Sequence, residues 1–133
     1  MIVECIDNSG ISLPDILLSH QGWSRSMIFE QVTVGKSYIV YAIIHVKNIP
    51  CYMVCSDYFD GQYITYPSLL PNSLFKTIQN LQSKFWQLNQ DSKDLGFKDM
   101  LYDKYFYGNL VEGYEKEVQI FASIKSKIDL ENT

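Results

Sequence analysis

The sequence has no apolar run approaching the roughly 18 residues of a membrane-crossing helix, no cluster of basic residues and no glycine-rich loop. The first absence excludes a helical membrane span. The second removes the basic face by which nucleic-acid binders are recognised, so no direct nucleic-acid partner is expected. The third removes a phosphate cradle: Gly35-Lys36-Ser37 lacks the upstream glycine of a P-loop and reads as a chance fragment entering a strand. The opening Met1-Ile2-Val3-Glu4-Cys5 lacks the basic start and apolar stretch of a secretory signal, so a cytoplasmic location is expected.

Cysteine and histidine are also scarce. Three cysteines, Cys5, Cys51 and Cys55, form an odd set without a signal, which argues for reduced thiols. Cys51 and Cys55 are four apart in a strand-like run, so they share one face. Their simplest role is that of small buried hydrophobes. His20 and His45 make no recognised ligand spacing with them, and no metal or cofactor is expected. A thiol enzyme needs its nucleophile held against a base. Only Cys51 or Cys55 with His45, meeting across a hairpin, offers that pair. Otherwise His45 is a satisfied sheet residue and His20 an exposed loop residue. The chain is expected not to be an enzyme.

What remains is a chain of 133 residues, which fits one domain over residues 1–133 with a core that requires no disulfides. Ten tyrosines suit half-buried strand positions, and tyrosine is also enriched at protein interfaces. A net charge of −4 aids solubility and favours encounter with a basic partner.

The pattern along the chain predicts strands first and helices last. Residues 2–6 alternate as a strand, 7–10 are a turn cluster, and 11–26 form an irregular loop with a helical turn near Asp15–Leu18. The run SYIVYAIIHV at residues 37–46 is the strongest β signal. A turn at 47–50 leads into a return strand at 51–55. After a second turn at 56–61, a short strand ends at Pro67, and Pro67 and Pro71 fence off a loop. Residues 74–78 and 83–88 fit either strand or helix; strands are favoured. Asp91-Ser92-Lys93-Asp94 suits a helix cap, followed by a helix that carries Leu95, Phe97, Leu101, Tyr102, Tyr105 and Phe106 and ends at Gly108-Asn109. Tyr114, Val118, Phe121, Ile124 and Ile128 line one face of a final helix, with Glu115, Glu117 and Lys125 between them. Acids near its start and lysines near its end suit the helix dipole. The fold class is therefore α+β: a curved antiparallel sheet or small, partly open barrel followed by C-terminal helices.

Two segments mix acids with aromatics. Asp57 and Asp60 flank Tyr58 and Phe59 at a turn, and Asp99, Tyr102 and Asp103 lie in the first C-terminal helix. An acid at a turn most simply bonds its own backbone. An exposed acidic-aromatic patch instead combines rigid contact area with charge, as interface anchors do. These seven residues are the candidate partner-binding set.

The words CIDNSG at 5–10, VGKSYIVYAI at 34–43, YITYPSLLPNSLF at 63–75, SKFW at 83–86 and EGYEKEVQIF at 112–121 span nearly the whole chain. In them the sequence resembles small bacterial immunity proteins of toxin–immunity systems, including contact-dependent growth inhibition. The words carry no catalytic signature. The resemblance implies a cytoplasmic protein that binds a cognate toxin and occludes its active site. Such toxins are often nucleases with basic clefts, which an acidic surface would complement. No family motif assigns contact residues. The alternative is a small ligand-binding or regulatory module that uses an aromatic-lined barrel pocket.

Overall fold

The apolar run at 37–46 does not alternate because it serves two sheets. The computed structural model describes residues 1–57 and 66–133. Its elements, in order, are β1 (Ile2–Cys5), β2 (Ser37–Ile39), β3 (Ala42–Val46), β4 (Ile49–Ser56), β5 (Tyr66–Pro71), β6 (Phe75–Gln79), β7 (Gln87–Leu88), β8 (Leu95–Gly96), α1 (Lys98–Tyr102), α2 (Phe106–Val111) and α3 (Glu115–Glu131). One antiparallel sheet has the order β2-β1-β6 and the other β5-β4-β3-β8-β7. Between β2 and β3 the backbone changes partners. The Val40 N–H donates to the Met1 carbonyl in the small sheet, and the next N–H, of Tyr41, donates to Met53 in the large one. The single strand expected over 37–46 is thus two strands joined at a sheet switch.

The large sheet is the middle layer. On β4, Tyr52 and Val54 face a core built with Val3, Leu17, Phe29, Tyr38, Leu74 and Phe75, from the small sheet and the N-terminal loop. Met53 and Cys55 face a second core built with Tyr41, Phe97, Phe106, Phe121 and Ile128, largely from the helical segment. A strand covered on both faces reads as a continuous apolar run, which is why alternation is missing here. Trp86 packs against both cores, and its indole N–H donates to the Tyr41 carbonyl at 2.9 Å. The class is α+β, as expected, with antiparallel sheets and C-terminal helices. Among the described residues the strands do not close into a barrel.

Several expectations are corrected. The β3–β4 turn is only two residues long: Lys47 and Asn48 both have positive φ, at 50° and 66°, between the paired Val46 and Ile49. That geometry matches the right-handed twist of a hairpin, so Pro50 belongs to β4. Pro67 and Pro71 do not fence off a loop. Both lie in β5, opposite Cys55 and Cys51, and among the described residues β5 is an edge strand, which tolerates them. Of the strand expected at 83–88, only β7 forms, and the supposed helix cap at 91–94 is the hairpin turn joining β7 to β8. Asn89 organises that turn: its side-chain oxygen accepts the N–H groups of Asp91 and Ser92.

The expected helix through Phe106 is two helices, broken where Asp103 is extended. Gly108 and Asn109 lie inside α2. The stop is Gly113, with φ of 81°: its N–H donates to Leu110 and that of Tyr114 to Asn109, a glycine-capped end. The final helix forms where expected. Its stripe holds for Val118, Phe121, Ile124 and Ile128, but Tyr114 is exposed and Glu117 is buried. Its last turn carries no base. The acids there serve the sheet side instead: Asp129 accepts from the Tyr41 hydroxyl, and Glu131 from the Ser83 hydroxyl and the Lys84 N–H.

Candidate interaction site

The seven sequence-derived residues fall into three situations. Tyr58, Phe59 and Asp60 lie outside the described residues. Asp57, at the end of β4, is held by a distant loop. Its carboxylate accepts hydrogen bonds from the Thr33 hydroxyl at 2.6 Å, the Lys36 ammonium at 2.5 Å and the Tyr38 hydroxyl at 3.0 Å. Its N–H donates to Gln31 at 2.7 Å. Its side chain is 22% exposed. Burial opposes ionisation there, but the bonds from Lys36, Thr33 and Tyr38 outweigh it and hold the carboxyl below its ordinary range. The same burial, with the adjacent charge, pushes the Tyr38 phenol up to about 12.

Asp99, Tyr102 and Asp103 lie in or beside α1. Asp99 is in the first turn and half-buried. Tyr102 ends the helix at 62% exposure. Asp103 follows it, and its carboxylate accepts the Tyr105 N–H at 3.0 Å, which starts the link into α2. Tyr105 is 64% exposed, with the Lys104 ammonium 5.0 Å from its ring centre. At the next junction Tyr114 is 57% exposed. Exposed Glu112 and Glu115 stand beside it. Two successive helix junctions thus present Tyr102, Tyr105 and Tyr114 among Asp103, Glu112 and Glu115. Tyr107 differs: its hydroxyl accepts the Leu69 N–H at 3.1 Å, tying α2 to β5.

Tyr114 was missed because its spacing matched the core stripe of α3. The signal for exposure was Gly113: a glycine stop places the next residue outside both helices.

The thiol–imidazole pair is separated by the register. Cys51 is paired with Ile44, and His45 with Pro50, so the two side chains leave opposite faces of the hairpin. The His45 ring lies 2.8 Å from Asp94 in the β7–β8 turn. Burial pushes the Cys51 thiol up to about 12, which keeps it protonated.

A different feature lies between α3, the start of α1 and the stretch leading into β7. It is an open groove of about 610 Å³ with Phe85, Phe97, Ile120 and Ile124 among its walls and Lys98, Lys116 and Lys127 around it. No protein-family model, curated protein sequence or solved structure matches this chain.

Proposed function

We propose that this chain is an immunity-type protein that binds a cognate bacterial toxin domain and occludes its active site, docking through the tyrosines of the two helix junctions. One observation carries the reading: Tyr102, Tyr105 and Tyr114 are more than half exposed, with the exposed acids Glu112 and Glu115 beside Tyr114. Exposed tyrosines offer rigid contact area of the kind that dominates binding energy. The acids around them suit a basic partner, and the resemblance to immunity proteins supplies its class. The chain acts by contact, with no chemistry of its own. The alternative, a small ligand-binding or regulatory module, called for a barrel mouth, and among the described residues the strands do not close into a barrel.

The test is co-expression and titration with the protein encoded immediately upstream. Tight binding and protection of cells are expected. The variant Y102A/Y105A/Y114A should lower affinity by about a hundredfold or more with its fold intact. Absence of both binding and protection overturns the function, and unchanged affinity in the triple variant overturns the surface.

A further inference from the structure

The groove along α3 has the opposite character from the rest of the chain. The protein carries a net charge of −4. Around the groove stand three lysines, Lys98, Lys116 and Lys127, against one carboxylate, Asp99. None of the three makes an ion pair among the described residues. The nearby acid Glu131 is already held by Ser83 and the Lys84 backbone. The Phe85 ring has the Lys84 and Lys127 ammonium groups 5.3 Å and 5.7 Å from its centre, so this wall is both apolar and cationic.

The spacing of the charges indicates the shape of the occupant. Lys116 and Lys127 are eleven residues apart on α3, about 16 Å at 1.5 Å per residue. Ile120 and Ile124 lie between them on the same wall. A compact anion with a single head group reaches one end only. A helical segment of about three turns reaches both, with apolar residues on the isoleucines and acids towards the lysines.

We infer that this groove is a second docking site, which takes an acidic amphipathic helix of a partner protein through apolar contact with Phe85, Phe97, Ile120 and Ile124 and charge pairing with Lys98, Lys116 and Lys127. The site is independent of the tyrosine surface, and its charge is of opposite sign.

The probe is a fluorescein-labelled synthetic helix with leucines on one face and glutamates flanking them, followed by anisotropy against the full chain. The glutamate peptide binds and weakens with added salt, while its lysine counterpart does not bind. K116E/K127E lowers affinity by about tenfold or more with an unchanged circular dichroism spectrum. If that variant does not fold, K98Q/K127Q shows a smaller loss in the same direction. Y102A/Y105A/Y114A leaves this binding unchanged, so failure here is distinct from failure of the toxin-binding reading. Equal binding of the two peptides overturns the proposal. So does unchanged affinity in the folded lysine variants, or binding of sodium dodecanoate without binding of the glutamate peptide.

Discussion

Asp57 and Asp103 stand in similar local sequence, each next to aromatic residues at the end of a regular element, and the fold uses them in opposite ways. The partners of Asp57 come from residues 19 to 24 positions earlier: Thr33, Lys36 and Tyr38. Those bonds satisfy the carboxylate and pin the entry to β2 against the end of β4. Among the described residues the Asp103 carboxylate accepts the N–H of Tyr105 alone, two residues on. Distant donors, not neighbours in sequence, decide whether an acid remains available to a partner.

The largest effect expected from this comparison is on stability. Asp57→Ala removes the acceptor of three hydrogen bonds, of which the one from Tyr38 is part-buried and those from Thr33 and Lys36 are exposed, and should cost about 2 kcal/mol in urea unfolding at neutral pH. Asp103→Ala removes one local backbone bond and should cost under about 1 kcal/mol. The pH dependence follows from the depressed Asp57 carboxyl, whose ordinary value is 3.8. The unfolded chain takes up this proton at higher pH than the folded chain does. The stabilisation is therefore complete above the ordinary carboxylate value and fades as pH falls through the lower, folded one. The deficit of Asp57→Ala should accordingly shrink below about pH 4. Equal deficits for the two alanine variants break the comparison.

Legibility in the sequence divides along the same line. The α+β order, β1, the N-terminal loop with its helical turn, and α3 could be read from local pattern. The sheet switch at Val40 and Tyr41 could not, because it is set by the carbonyls of Met1 and Met53. Pro67 and Pro71 were misread because edge position is a property of the whole sheet. At the candidate site, Tyr102 belongs to the mixed acidic-aromatic segment expected to be exposed, and it is exposed. The engagement of Asp57 did not follow, since nothing near it in sequence names Lys36 or Thr33. The groove was invisible for a similar reason. Its lysines come from two helices, and Phe85 from a stretch expected to be strand.

Glu117 adds a third circumstance, an acid that is buried yet incompletely bonded. It is 7% exposed, and its Oε2 has no partner among the described residues. Glu117→Met keeps helix propensity and similar bulk while removing that atom. It should raise unfolding stability by about 1 kcal/mol, opposite in sign to Asp57→Ala. A loss of similar size would mean that Glu117 is satisfied in the folded chain, and that burial and bonding are matched here as they are at Asp57.

The smallest effect belongs to the exposed end of the comparison. Tyr102 sits at the last residue of α1 with most of its ring in water, so Tyr102→Ala removes little buried area. Alanine is also the better helix former. The change should leave unfolding stability within about 0.5 kcal/mol of the parent. A residue so lightly tied to its own fold is the kind whose loss is felt only when a partner is present. A measured cost of 2 kcal/mol or so would instead place Tyr102 with Asp57, as a side chain already engaged within the chain, and would remove it from the docking surface.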